Sequence, residues 1–523
     1  MTGRLGFERG SGRRRSDPIR VVDRSVRRFG RRPRAVQLRT VGIVVAVVAG
    51  LLAYVAVSPA GSPAGSGSGG FGVAAGATAP STPTGLTPVA KASTSTRGVT
   101  ARQINVVFPV SNLTSLSSQI GFAGDVEFGE QVKAIHFFVN QINQAGGVNG
   151  RKINAIIANY DPTNEADMRA LCKDWTEGSP AAFAVIDGIG SWTGDSQLCI
   201  TQEGHTPLIS QWSTVTNWTT LGSPYLWWTG PDQAAILSSL VAWGLSAGLI
   251  GFGHKLGVVI GDRASDQVAY KQYLEPDLAR VGITPVTATI AANPDNTATT
   301  NTQAPLIVQQ MRTAGVTAMI PLVPFNAWFP LLQAQTQQSY YPKLLLSDYE
   351  GTISSGLGLI PTPYEQALDG QEGISTLTLG GFDDARPQAK GGYDPGVRSC
   401  YTAWHKAYPT PVSGASSFYI EEQGPIAAWC GAIQLFAHAA QMAGPTLNRR
   451  TFVTAMSKIK NFPGSWEPTW TYGPTKFYGP TQFQVVRLHT NNPNANACVI
   501  KTNGQPQGTC WQVVQPFRPL ITG

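Results

Sequence analysis

The sequence predicts an α/β protein of two Rossmann-like lobes with parallel central sheets, preceded by one transmembrane helix. Three observations carry this reading. Strand, loop and helix alternate in two successive sets, the first from Gln103 to about Ser213 and the second from Lys255 to Ser347. That order gives parallel sheets with right-handed crossovers. An uncharged run, Val41–Val57, also follows an Arg-rich start.

The amino-terminal part comes first. The chain carries 39 Lys and Arg against 31 Asp and Glu, a formal +8. Residues 1–40 hold thirteen Arg and three acids, hence +10; the other residues hold 26 bases and 28 acids, hence −2. A basic arm can bind nucleic acid. Here an apolar run follows it directly, so positive-inside topology is the better reading and no nucleic-acid partner is expected. At 1.5 Å per residue, Val41–Val57 spans roughly 25 Å, which suits a signal-anchor better than a signal-peptide core. Cleavage near Ala60 is the alternative. Residues 1–40 read as a disordered cytoplasmic tail, 41–57 as the signal-anchor and 58–100 as a flexible Gly/Ser/Ala/Pro/Thr linker. The rest is then extracytoplasmic, on a single-pass membrane protein.

Six cysteines follow the apolar run: Cys172, Cys199, Cys400, Cys430, Cys498 and Cys510. An even number fits disulfides in an oxidising compartment. Fifteen pairings are conceivable, and the three sequential ones are the simplest. No C-x-x-C and no paired-His spacing occurs, so no metal is expected.

Next come the elements in order. Gln103–Pro109 is an apolar strand. Val126, Val132, Ile135, Val139 and Ile142 form a helical stripe over Asp125–Ala145, stopped at Gly146-Gly147. Strand Ile153–Tyr160, helix Asn164–Glu177, strand Ala182–Asp187, helix Asp195–Glu203 and strand Pro207–Ser210 follow. The second set has strands Lys255–Gly261, Ile283–Ile290, Ala318–Val323 and Leu344–Ser347, with helices Ser265–Val281, Ala304–Ala314 and Asn326–Gln337 between them. After strand Gly373–Leu379 come helices Asp394–Tyr408, Glu421–Ala443 and Arg450–Lys460. Phe483–His489, Ala497–Lys501 and Cys510–Val514 read as a late antiparallel meander.

Binding residues are sought where strands end, because ligands of open α/β sheets sit outside the carboxyl ends of the strands. Two such loops pair hydroxyls with a Trp: Ser191, Trp192 and Thr193, then Gln211, Trp212 and Ser213. With helix amides they suit a carboxylate. Two false trails are set aside. Gly188, Gly190 and Gly194 miss the dinucleotide spacing, and no acid ends the next strand, so no cofactor is expected. Ser191 is not in a nucleophile elbow, and no nucleophile–base pair can be named, so the chain reads as no enzyme.

The sequence resembles the type I periplasmic binding proteins, in their branched-chain amino-acid (Leu/Ile/Val-like) branch. The resemblance runs from Ile104 to about Lys460. It rests on the run from Val132 to Asp161, with Gly146-Gly147-Val148, Gly150-Arg151 and Tyr160-Asp161. It also rests on the strand ends at Ser191 and Ser210, "LLLSDYEG" at 344–351 and "AIQLFAHAAQMAG" at 432–444. The Cys172/Cys199 spacing is similar to a first-lobe disulfide of that family, although the second Cys lies in the helix after the loop. The Trp-rich insertions and the Cys498/Cys510 tail depart from the pattern.

The resemblance implies a three-strand hinge, with crossings near Gly230, Gly373 and Lys460. Lobe I is then 101–230 with 374–460, and lobe II is 231–373 with 461–523. It implies Phe122 as an aromatic over the ligand. It also implies an acid for a ligand amino group at the end of "LLLS", among Asp348, Tyr349 and Glu350, of which Glu350 matches best. Asp262 and Pro324-Phe325 also end strands, two different ones, and are expected to line the cleft. The function implied is capture of a small polar ligand, an amino acid or related compound, for ABC-type import through permease subunits. A ligand-sensing ectodomain signalling through a partner protein is the other reading.

Overall fold

A computed structural model describes residues 89, 91–111, 128–160, 165–188, 195–211, 213–251, 253–293, 296–349, 353, 365–377, 395–408, 424–465, 467–489, 501–502, 505–506 and 510–521. The apolar run 41–57 lies outside them. Among the described residues no helix is long and apolar enough to cross a membrane.

The first sheet is wholly parallel. Its strands are β1 (Gln103–Ser111), β2 (Lys152–Tyr160), β3 (Ala184–Asp187), β4 (Leu208–Ser210) and β5 (Leu226–Trp228), in the order β2-β1-β3-β4-β5. Helix α1 (Phe128–Gln144) turns its apolar stripe inward, burying Ile135, Phe138 and Val139. Helix α2 (Glu165–Glu177) covers the other face. Cys172 on α2 is bonded to Cys199, in the single π turn Cys199–Glu203 that follows α3 (Asp195–Leu198).

Around the first crossing, sequence periodicity missed α4 (Thr216–Gly222), β5, and α5 (Gln233–Ser246). β5 is too short to alternate, and Leu226, Trp227 and Trp228 are all buried. α5 is buried nearly all round, so no polar face marks it. Its Ile236, Leu237 and Leu240 join one continuous core with Trp218 and Leu226 of the first lobe and Val258 and Leu345 of the second.

The second sheet contains β6 (Leu256–Gly261), β7 (Val286–Ile290), β8 (Ala318–Leu322), β9 (Lys343–Ser347), β10 (Glu372–Ser375), β13 (Gln482–His489) and β16 (Cys510–Pro519). The order is β16-β13-β10-β9-β8-β6-β7. Only β13 and β16 run antiparallel to their neighbours. These two strands pair directly, with the small β14–β15 hairpin (Lys501–Thr502, Gln505–Pro506) between them in sequence, so the late strands are not a meander. Helix α6 (Ala264–Val268) continues through a π turn, Ala269–Leu274, into α7 (Glu275–Arg280). Helix α8 (Thr297–Thr313) begins seven residues before the expected Ala304 and holds Pro305 inside it. Helix α9 (Phe325–Gln337) and the short α10 (Glu365–Leu368) complete this lobe.

After β10 the chain returns to the first sheet through α11 (Pro395–Ala407), α12 (Gly424–Met442) and α13 (Arg449–Met456). Cys400 on α11 is bonded to Cys430 on α12. Cys498 lies outside the described residues. The β11–β12 hairpin (Phe462–Pro463, Thr469–Trp470) and Tyr472 stay in the first-lobe core, and the chain enters the second sheet only at Gln482. Among the described residues the chain thus passes between the sheets three times: after Trp228, after β10 and near Pro480.

Residues 91–100, the end of the expected linker, are docked on the first lobe. Ala92 is buried, Ser93 N–H donates to the Tyr225 hydroxyl at 2.7 Å, and Arg450 Nε donates to the Ala92 carbonyl at 2.9 Å. Arg449 N–H donates to the Ser95 carbonyl at 3.0 Å.

Candidate functional site

Strand order fixes where a ligand can sit. In the first sheet β2 lies to one side of β1 and β3 to the other; in the second, β7 and β8 flank β6 in the same way. A crevice opens at such a switch point, outside the carboxyl ends of the strands. Ser111 and Asp187 end the first pair. Asp262–Arg263 and Val323–Pro324 follow the ends of β6 and β8.

On the first lobe these strand ends rest on a buried polar chain. Trp228 Nε1 donates to Gln197 Oε1 at 3.1 Å, and Gln197 Nε2 donates to Ser210 Oγ at 3.3 Å. Ser210 Oγ donates to Asp187 Oδ2 at 3.1 Å. Gln211 N–H donates to the Asp187 carbonyl at 2.9 Å, which fixes the start of the second loop. Ser213 is buried, and its Oγ accepts from Gln233 Nε2 at 3.1 Å. Beside it, Thr214 Oγ1 and Gln233 Oε1 are buried without a hydrogen-bond partner. Gly230, at the first crossing, has to be glycine: a Cβ there would lie 2.5 Å from the Gln211 carbonyl oxygen. Gln197, Thr214 and Gln233 were not singled out from sequence. Thr214 directly follows the Gln211–Ser213 loop, so its position was the available signal.

Ser191, Trp192 and Thr193 lie outside the described residues, as do Trp212, Phe122 and Glu350. The flanking Gly188 and Asp195 still anchor the first of these loops to the end of β3 and the start of α3. Phe325 opens helix α9 directly after β8.

On the second lobe, two expected ligand residues are engaged internally. The Asp348 carboxylate accepts from Ser375 Oγ at 2.6 Å, Thr376 N–H at 2.6 Å and Thr376 Oγ1 at 2.8 Å. Burial pushes it up to about 6 against these donors. The buried Tyr349 hydroxyl donates to Asp266 Oδ1 at 2.6 Å. Asp262 accepts from Ala292 N–H at 2.9 Å. Thus Asp348 and Tyr349, adjacent in sequence, serve different partners: one braces the exit from β10, the other a carboxylate in α6.

Between the lobes, the hinge strands carry their own chemistry. Trp228 bridges Tyr478, with Gly479 N–H donating to the Trp228 carbonyl at 3.0 Å. The Lys476 ammonium donates to the carbonyls of Thr471 (2.7 Å), Tyr478, Gly479 (3.3 Å) and Pro480 (3.3 Å). Burial pulls it down to about 7, against the pull of Asp232. Asp232 caps α5 by accepting from Ala234 N–H at 2.8 Å. Glu467, wholly buried, is raised by desolvation and accepts from Trp470 Nε1 at 2.7 Å. Among the described residues no group of His, Cys, Asp and Glu could hold a metal ion.

Comparison with known proteins agrees with this architecture. A family profile described as Periplasmic binding protein matches residues 112–492. No curated protein sequence matches. Among solved structures, a fatty acid ABC transporter substrate-binding protein from Thermomonospora curvata superposes with a TM-score of 0.57 at 17% identity, covering 84% of this chain and 96% of that one. A branched chain amino acid ABC transporter protein from Thermus thermophilus with bound valine gives 0.55 at 13%, covering 80% and 97%. A solute binding protein of an ABC transporter from Rhodopseudomonas palustris BisB5, in complex with 3,4-dihydroxybenzoic acid, gives 0.54 at 14%, covering 80% and 98%. Two doubly wound sheets, three crossings and a profile match over most of the chain agree: the chain belongs to the type I periplasmic binding protein family.

Proposed function

We propose that this protein is the membrane-anchored, extracytoplasmic substrate-binding component of an ABC-type importer, and that it captures one small carboxylate-bearing ligand between its lobes. The single observation that carries binding is the pair of switch points, one in each sheet, joined by three chain crossings. The ligand lies against Ser191, Trp192 and Thr193 on one loop and Gln211, Trp212 and Ser213 on the next, with Phe122 above. Glu350 and Phe325 approach from the second lobe. The buried, unmatched Thr214 Oγ1 and Gln233 Oε1 support a polar site here, since buried polar atoms ordinarily find partners. Fatty acid, valine and dihydroxybenzoic acid, named with the similar structures, share a carboxylate. Membrane anchoring rests on the sequence of residues 1–57.

A thermal-shift screen of amino acids, fatty acids, aromatic acids and their amides tests the ligand class. Small-angle scattering with and without a hit tests closure. A hit that leaves the scattering profile unchanged would refute capture between lobes. Protease added to intact spheroplasts should remove the folded part, and its protection would refute the topology.

A further inference from the structure

The docked strap, residues 91–98, brings two arginines together on the first lobe. Arg97 lies on the strap and Arg449 opens α13. Their backbone N–H groups are fastened to one residue: Arg97 N–H donates to Ser95 Oγ at 3.1 Å and Arg449 N–H to the Ser95 carbonyl at 3.0 Å. Their guanidiniums then reach one short segment. Arg97 Nη2 donates to the Gly178 carbonyl at 2.6 Å and Arg449 Nη2 to the Ala182 carbonyl at 3.3 Å. Arg449 Nη1 donates to the Gly204 carbonyl at 3.3 Å. Gly98 seals the strap onto the same segment, since a Cβ there would fall 2.2 Å from the Phe183 nitrogen. Ala182 and Gly204 stand just ahead of β3 and β4, so the pair lies at the amino ends of the strands, away from the crevice at their carboxyl ends.

Charge and hydrogen bonding are both left incomplete there. Arg449 is 4% exposed and Arg97 is half-buried. Nε of each is buried without a hydrogen-bond partner. Among the described residues neither guanidinium forms an ion pair, and each acceptor it reaches is a neutral carbonyl. Burial pulls Arg449 down to about 10, and the Arg97 charge acts the same way, against Tyr225. Buried charges are ordinarily paired, and a buried donor without an acceptor costs stability.

We infer that Arg97 and Arg449 form a binding site for one small oxyanion of the phosphate or sulfate class, held under the strap at the amino ends of the first sheet. Two guanidiniums match a doubly charged anion, and the two free Nε–H groups donate to its oxygens as charge-assisted bonds. Both Nε atoms are covered, so a compact anion is required, and it enters as the strap lifts and resettles with Arg97 on the moving side. Bound there, it joins the strap to α13. It binds only the docked strap and so stabilises that state by mass action. The site is separate from the crevice and independent of what the crevice holds.

Full-length protein in an uncharged detergent is held at constant ionic strength while sodium phosphate, or sodium sulfate, replaces sodium chloride. Both anions also stabilise proteins generally, by exclusion from their surfaces. Arg97→Gln is therefore run beside wild type. The readouts are the melting temperature and the rate of tryptic cleavage after the exposed Lys91, followed by the mass of the fragment that begins at Ala92. Phosphate should raise the melting temperature of wild type by roughly 2–4 °C more than that of Arg97→Gln. It should slow cleavage of wild type roughly tenfold relative to chloride and leave the rate in Arg97→Gln almost unchanged. Near-ultraviolet circular dichroism checks folding. If Arg97→Gln does not fold, Arg97→Lys, which keeps the charge and loses the Nε–H, carries the comparison. Equal responses in wild type and a folded variant overturn the site. A wild type cleaved at one rate in phosphate, sulfate and chloride overturns it as well.

Discussion

The backbone N–H of Thr376 meets the carboxylate of Asp348 at 2.6 Å and ties the end of β9 to the point where the chain leaves β10. Burial raises Asp348 from 3.8 to about 6. Between those values the folded chain keeps a proton that the unfolded chain has lost. Stability should therefore fall as pH rises from about 4 to 6 and level off above. Glu467, raised by desolvation too, acts in the same direction. Asp348→Asn should flatten part of this slope. Urea melts across that window, compared with wild type, check it; an unchanged slope would show that Asp348 does not titrate there.

Lys476→Met removes the donor shared by four carbonyls beside the third crossing. Leaving buried acceptors unmatched costs about 1–3 kcal/mol. Denaturant unfolding should register that loss. Crossing strands held by a lost clamp should also exchange their amide hydrogens faster, at Tyr478 and Gly479 above all. Unchanged exchange would mean that the Trp228–Tyr478 bridge holds the hinge unaided.

The lobes also touch through Asn217. Tyr273 donates to its Oδ1 at 2.5 Å, and its Nδ2 donates to Gln272 Oε1 at 3.0 Å. Tyr273→Phe should cost roughly 1 kcal/mol and broaden the distribution of spin-label distances between α2 and α8. A distribution identical to wild type would show that this contact does not set the angle between the lobes.

Cys400 and Cys430 close a loop with a sequence separation of 30. Replacing both with Ala should lower stability by roughly 3–4 kcal/mol on the chain-entropy account. Calorimetry of the double variant measures it, and a loss under about 1 kcal/mol would show that the unfolded chain is already constrained there.

Sequence reading placed most strands and helices within two or three residues, because half-buried elements write their period into the chain. α1 shows this best: its stripe from Val132 to Ile142 marks the helix that the fold contains. α5 shows the converse, since a helix wrapped by both lobes has no solvent side to write a polar stripe. The site was legible as positions, not as contacts. Asp348 and Tyr349 were found as polar residues ending a strand. Their partners lie far along the chain, at Ser375 and Thr376 in one direction and at Asp266 in the other. No local pattern records such pairings.

The docking of residues 91–100 sets where load enters the molecule. Ser93 is fastened to Tyr225, Ala92 to Arg450 and Ser95 to Arg449. A pull on the chain ahead of residue 91 enters the first lobe, at Tyr225 just ahead of β5 and at α13, rather than the second sheet. The first lobe is thus the fixed jaw of the clamp and the second the free one. Whatever holds the amino-terminal side therefore holds the first lobe and leaves the second to move.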